Sequence, residues 1–402
     1  MALARDIPFR EYKTHPLIKE LCSDLSLLKD APFPRQDGQV TPETIFRGPT
    51  KGDLIGPYLS QFLLQPFRYG LLEVTQMYNC AQPGIDYLTT VEDYLDCHNG
   101  KVPRPAVPPS KEKTYLHTLR DGASWILVDE PVQAVINAAY YLLNNGYKFN
   151  QGNPYVNGTL TNQANFVDLG RVDFLDMISR ASKIVMNAAW WYKYTQFVLR
   201  PEEFGFRVSQ AKLGYPQVKL SKQLLNSPIL DKVKEKYGTY LVPQAYNSGC
   251  PCHSSYPSGH AVLAGAMVTL VKAWFDGDQK IKIYEPSADG KSLLDTGEES
   301  TIEHELNKLA SNCGILRNAA GIHYAQDAYN GMVFGEQIAI ELLKEFVSRY
   351  DLPSHSNFGL FQERRFELAI DETSISTIQT QKDISDLKRE KNSDKIFSLF
   401  KR

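Results

Sequence analysis

Little in this sequence commits it to a partner by charge. Its 402 residues carry 44 Lys and Arg against 46 Asp and Glu, a formal net charge of −2. That balance leaves no basic stripe for a nucleic-acid backbone and no acidic tail for a basic partner. Cysteine is sparse as well. Cys22, Cys80, Cys97, Cys250, Cys252 and Cys313 are too few for a disulfide scaffold, and none stands in a Cys-x-x-Cys spacing. Cys250 and Cys252 flank a proline in one loop and could each pair elsewhere in an oxidising compartment. Long hydrophobic runs are missing too: Ala261 to Phe275 is the longest nearly apolar stretch, too short to span a membrane and interrupted by Lys272. The start, Met1-Ala2-Leu3-Ala4-Arg5-Asp6, lacks the basic-then-apolar run of a secretory signal. As written, the sequence reads as soluble and cytoplasmic, or exported if the N-terminus is trimmed.

Strand signals are also scarce, with Thr239 to Val242 and Lys280 to Tyr284 as short ribbons at most. Helical period is what remains. Pro131 to Leu143 opens on a proline and places Val132, Val135, Ile136, Ala139, Tyr140 and Leu143 on one face. Val172 to Leu199 reads as a long helix stopped by Pro201, and Ala261 to Phe275 and His323 to Val347 read as two more. Two loop zones interrupt them, Asn99 to Lys111 with its four prolines and the Asn- and Gly-rich stretch from Asn144 to Asn165. The expected architecture is one all-α domain over residues 1–365 with minor β-ribbons. A polar tail, 366–402, helical or disordered, would follow it.

Three short patterns carry chemistry. In the first, Lys193 and Arg200-Pro201 are seven residues apart, two helical turns, which puts both cations on the same side of the element with Trp190 one turn earlier beside them. In the second, Pro257-Ser258-Gly259-His260 precedes the apolar run; a Ser-Gly pair opening a helix offers free N–H groups, a hydroxyl and the positive end of the dipole to an oxyanion. In the third, Arg317 is followed by His323 and Asp327, with the carboxylate at i+4 able to hold the imidazole. Each alone has a bland reading: a solvated Lys–Arg face, a turn, a structural histidine. By chance the first and third patterns would each arise in roughly 5 % of chains this long and the tetrapeptide in under about 1 %. Together they describe a pocket for a tetrahedral, multiply charged oxyanion.

The ordered set Lys193…Arg200-Pro201, Pro257-Ser258-Gly259-His260 and Arg317…His323…Asp327 resembles the shared signature of vanadium-dependent haloperoxidases and type 2 phosphatidic acid phosphatases. Its surroundings resemble the algal and cyanobacterial bromoperoxidases: Cys252-His253-Ser254-Ser255-Tyr256 before Pro257, Arg317-Asn318-Ala319-Ala320-Gly321-Ile322-His323-Tyr324, Leu199-Arg200-Pro201-Glu202 and Arg5-Asp6-Ile7-Pro8-Phe9. Leu316 stands where the phosphatase pattern has serine. The resemblance reaches from near the N-terminus to about Phe361, and the start of this chain resembles a point well inside the algal proteins.

The resemblance implies a helical-bundle fold of the haloperoxidase and acid phosphatase type, and vanadate as cofactor. His323 would be the metal ligand. Lys193, Arg200, Ser258, Gly259 through its N–H and Arg317 would hydrogen-bond the vanadate oxygens. His260 would be the acid–base catalyst near the axial oxygen, Lys193 would polarise the bound peroxide, and His253 would tune the halide side. Asp327 would support His323, and Trp190 would line the pocket, its alternative being a core tryptophan. Hydrogen peroxide, bromide or iodide and small organic acceptors would be the reactants, with no nucleic acid partner, and homo-oligomers are expected. A structural calcium is left open. The alternative reading is an acid phosphatase working through a phosphohistidine at His323, with His260 protonating the leaving group.

Overall fold

The computed structural model describes residues 1–29, 34–102, 105–350, 354–359, 361, 365–370 and 375–380. Helices dominate among them: α1 (Pro16–Ser26), α2 (Val91–His98), α3 (Leu119–Val128), α4 (Gln133–Asn144), α5 (Arg171–Gln196), α6 (Pro201–Lys212), α7 (Lys222–Leu225), α8 (Pro228–Tyr237), α9 (Gly259–Trp274), α10 (Ile302–Ala320) and α11 (Ala325–Val347). The strands form three small antiparallel sheets. β1 (Phe67–Tyr69) pairs with β2 (Leu72–Val74), β3 (Lys280–Pro286) with β4 (Leu293–Thr301), and β6 (Arg365–Ile370) lies between β5 (Ser354–Gly359) and β7 (Ile375–Thr380).

The main core gathers around α9, which is buried at every position except His260 and Leu263. A helix apolar on all sides must be enclosed, and α5, α10 and α11 enclose it. Lys272 is the exception in its composition. Its ammonium donates to Asn307 Oδ1 at 3.0 Å and lies 4.2 Å from the centre of the Phe361 ring. The closest packing is between α9 and α11. A Cβ built on Gly265 would stand 2.3 Å from the Met332 carbonyl oxygen, and one on Gly335 would stand 2.0 Å from that of Val262 and 2.7 Å from the Ala266 nitrogen. The two backbones therefore touch, and only hydrogen at these two Cα positions permits it.

Several boundaries differ from expectation, each for a local reason. Pro131 lies outside α4, because Val132 takes a left-handed conformation (φ 72°) and caps the helix. α5 stops at Gln196, where Phe197 is left-handed (φ 47°), so it never reaches Arg200. α11 begins at Ala325, not His323: Tyr324 is the N-cap, its N–H donating to Asp327 Oδ2 at 3.1 Å. Thr239 to Val242 is not a strand, whereas Lys280 to Tyr284 lies within β3. From Phe366 on, the expected helix or disorder gives way to strands at 365–370 and 375–380; Phe366, Leu368 and Ile370 alternate with Glu367 and Ala369, a two-residue period. A division at residue 365 coincides with the start of β6, whose ladder partners lie on both sides of it. The remaining tail, 381–402, lies outside the described residues.

α10, which the helical reading above does not include, carries an apolar stripe at Ile302, Leu306, Leu309, Cys313 and Leu316. It buries Glu305, Asn307, Lys308 and Asn312 by satisfying them. Glu305 Oε2 accepts from Gln61 N at 2.8 Å and its Oε1 from Lys308 Nζ at 2.9 Å, while Asn312 bonds to both Ser60 N and the Tyr58 carbonyl. The N-terminal Arg5-Asp6 pair is likewise structural. Arg5 is buried against Asp86, the Ala319 carbonyl (3.1 Å) and the Pro243 carbonyl (3.0 Å), while Arg120 bonds to Asp6 and Asp86.

Replacing Gly335 by alanine forces α9 and α11 apart. The expected loss is on the order of 2–3 kcal/mol, measured by denaturant unfolding. An unchanged midpoint would contradict the backbone contact.

Candidate functional site

The first residues of α9 and α11, the last turns of α5 and α10 and the N-cap of α6 meet at one place. The segment 253–258 runs through its middle and supplies carbonyl oxygens. Lys193, near the end of α5 and 1 % exposed, donates to the carbonyls of Ser254 (3.0 Å), Ser255 (3.1 Å) and Pro257 (2.6 Å). Arg200 is the N-cap of α6. Its guanidinium donates to the carbonyls of His253 (3.1 Å), Ser254 (3.4 Å) and Ile322 (2.6 Å), and its Nε pairs with Glu202 at 3.1 Å. Lys193 and Arg200 thus do converge. They meet across the bend at 197–199 and on the Ser254 carbonyl, not along one face of a continuous helix.

Ser258 is the N-cap of α9, fully buried. Its N–H donates to the Asp327 carbonyl at 3.2 Å, joining the α9 and α11 termini, while its Oγ is buried with no hydrogen-bond partner. Gly259 opens the helix, where first-turn N–H groups have no intrahelical acceptor. A Cβ there would lie 3.3 Å from both Met186 Cε and Trp190 Cζ3. Arg317, in the last turn of α10, donates from Nη1 to the Ile126 carbonyl at 3.2 Å, and its buried Nε has no partner. Two buried donors aimed at nothing in the protein are costly to leave unmade, and they are what an absent anion would satisfy.

The histidines divide by environment. His323 is buried, with Nδ1 3.0 Å from Asp327 Oδ2, and Ser255 Oγ also donates to that oxygen. Burial and then the cations of Arg200, Lys193 and Arg317 hold its pKa well below the ordinary value, so the ring is neutral at pH 7. The Asp327 contact selects the tautomer with hydrogen on Nδ1 and leaves the Nε2 lone pair for a ligand. His260, in the first turn of α9, places Nε2 3.1 Å from Asp129 Oδ1. Burial lowers its pKa, against the opposing pull of Asp129. Asp129, the residue after α3, belongs to no motif, and spacing gave no signal for it. His253 is lowered to about 4 by burial and Lys193, with Nδ1 3.2 Å from the Ser254 carbonyl. Its ring centre is 5.1 Å from that of Trp190. Trp190 is 37 % exposed, which removes the core-tryptophan reading, and the Lys193 ammonium lies 5.7 Å from its ring.

The cluster is not a bare concentration of positive charge. Each carboxylate is engaged: Glu202 by Arg200, Asp327 by Ser255 and His323, Asp129 by His260. Burial dominates the Lys193 ammonium, which falls to about 7, with Arg200 the next cause. It also raises Glu202 to about 8, against the opposing Arg200 charge. An anion in the pocket would push the Lys193 value back up, so binding favours the charged ammonium. Affinity for a dianion of fixed charge, such as sulfate, is therefore expected to be highest below pH 7 and to fall as pH rises through 7. Lys193→Gln should remove that fall and leave a weaker one near pH 8 from ionisation of Glu202. Calorimetric titration at pH 6 to 9 checks this, and an identical pH profile in the variant would contradict it.

Comparison with known proteins gives the family. Residues 231–351 match the family model described as the VCPO second helical-bundle domain. The vanadium-dependent bromoperoxidase of Corallina pilulifera is 30 % identical over 410 residues, covering 86 % of this chain and 68 % of that protein. The vanadium-dependent bromoperoxidase of Ascophyllum nodosum is 30 % identical over 397 residues, covering 93 % and 71 %. The solved homohexameric second vanadate-dependent bromoperoxidase of Ascophyllum nodosum superposes with a TM-score of 0.83 at 25 % identity, covering 94 % of this chain and 71 % of that one. The chain belongs to the vanadium-dependent bromoperoxidase family.

Proposed function

We propose that this chain is a vanadate-dependent haloperoxidase that uses hydrogen peroxide to oxidise bromide or iodide, delivering a hypohalous-acid-type product to small organic acceptors. One observation carries the reading to vanadate: the buried, unpartnered Ser258 Oγ and Arg317 Nε stand with the neutral His323 at the α9 N-terminus. The donor set fits the group. A tetrahedral oxyanion needs several N–H and O–H donors and positive charge, and a metal(V) centre needs one neutral nitrogen. His323 would be the nitrogen ligand, because Asp327 accepts at its Nδ1 and leaves Nε2 to the pocket.

Ser258, the Gly259 N–H and Arg317 would hold the vanadate oxygens, with Lys193 and Arg200 supplying charge beside them. Bound there, vanadate supplies Lewis-acid activation of peroxide without a change of oxidation state. Asp327 fixes the His323 ring and keeps its proton on Nδ1. His260, neutral in the resting state, can take a proton from incoming peroxide at Nδ1 while Asp129 stabilises the resulting imidazolium at Nε2. His253, uncharged down to about pH 4, and Trp190 offer the approaching halide a weakly hydrated wall. Both would shape halide selectivity more than oxyanion affinity.

The chain is proposed to work as a homo-oligomer, in line with the homohexameric relative. Among the described residues, no helix is long and apolar enough to cross a membrane.

Protein dialysed against vanadate should brominate or iodinate a phenolic dye with hydrogen peroxide and should not turn over a phosphate ester at comparable rate. Phosphate-ester turnover without halogenation would overturn the proposal in favour of the phosphatase chemistry. Ser258→Ala removes one buried donor and should weaken vanadate binding roughly 10- to 100-fold. Unchanged affinity in that variant would mean the oxyanion lies elsewhere.

A further inference from the structure

The segment 247–258 presents the carbonyls that hold Lys193 and Arg200, and it is joined to α2 by a contact the proposed chemistry does not use. α2 ends beside it. Cys97, buried in the last turn of α2, donates from Sγ to the Asn247 carbonyl at 3.5 Å. Cys250 is half-buried and packs against the cluster of Cys97, Tyr87 and Leu88, its thiol beside that of Cys97. α2 is itself anchored to α6, where the Tyr94 and Phe206 rings stack 4.7 Å apart at 16°. Upstream, Tyr87 and Gln244 exchange both backbone hydrogen bonds at 2.9 Å, so the chain enters the segment already fixed in place.

We propose that Cys97 and Cys250 form a redox pair, converted by hydrogen peroxide to a disulfide that pins the 247–258 segment to α2. One thiolate attacks the peroxide O–O bond, giving a sulfenic acid and water. The second thiol then displaces that hydroxyl as water and forms the S–S bond. Two sulfurs are oxidised by two electrons in total, and one hydrogen peroxide is reduced to two waters. Burial and the Glu202 carboxylate push the Cys250 thiol up, so little thiolate is present at neutral pH and the bond forms slowly. That suits a lasting cross-link made during exposure to peroxide better than a sensor that answers within one turnover. The crosslink closes a long loop, which is where a disulfide restrains the unfolded chain most. It also holds the carbonyls of residues 253–257 in place against the two cations to which they are hydrogen-bonded. Only the natural source of the peroxide rests on the proposed haloperoxidase function.

The test uses the full chain without vanadate, so its result is independent of halogenation. Reduced, desalted protein is treated with a small excess of hydrogen peroxide, free thiols are alkylated, and the cysteines are mapped by mass spectrometry. The expected result is a linked peptide containing Cys97 and Cys250, Cys252 still alkylated, and a Tm raised by roughly 3 °C or more and restored by dithiothreitol. Cys252→Ser, at an exposed position, should keep that shift, and Cys250→Ser should lose it. Full alkylation of Cys97 and Cys250 after peroxide, or recovery of Cys250 bonded to Cys252 or only as a sulfinic acid, would overturn the proposal.

Discussion

The contact on which the site depends is the one between the backbones of α9 and α11. Gly265 and Gly335 let the two helices approach until carbonyl and Cα touch. That approach brings the Ser258 N–H within hydrogen-bonding distance of the Asp327 carbonyl, so the helix carrying the hydroxyl and N–H donors is tied to the helix carrying the partner of His323. Two positive helix ends in one place repel each other and attract an anion. The core around α9 supplies the apolar burial that holds them there.

The second consequence is electrostatic. Lys193 and Arg200 are buried side by side, an arrangement that water would normally relieve. Here six carbonyl hydrogen bonds do so, from residues 253–257 and from Ile322. Carbonyl dipoles compensate the cations without cancelling them, so their field adds to burial, the larger cause, in lowering the pKa values of His253 and His323, while burial is the main cause for His260. Neutral imidazoles are what ligation and proton abstraction both need. Preorganised dipoles of this kind stabilise charge without having to reorient when it arrives.

Much of the site was legible in the sequence because its parts are local. Ser258-Gly259 had to open a helix once the apolar run after it was recognised, and the His323–Asp327 contact follows from four-residue spacing even though the helix starts two residues later. What spacing misled on was Arg200: the left-handed turn at Phe197 ends α5, and the two cations meet through a shared carbonyl instead of a shared face. Asp129 was invisible because it reaches His260 from α3 through tertiary packing alone. α10 carries an apolar stripe of its own, Ile302, Leu306, Leu309, Cys313 and Leu316, but the pairing of Glu305 with Lys308 and the bonds of Glu305, Lys308 and Asn312 to the backbone of residues 55–61 are contacts that no periodicity encodes. The strand at 365–370 carried a two-residue period that the surrounding charge obscured, whereas 375–380, with Ile375 and Ile378 three residues apart, carried none.

Vanadium K-edge absorption spectroscopy on vanadate-loaded protein tests the central claim most directly. One imidazole nitrogen among the vanadium ligands is expected in the unaltered chain, lost in a folded His323→Ala variant. An all-oxygen coordination shell in the unaltered chain, or the same nitrogen signal in the variant, would contradict the account.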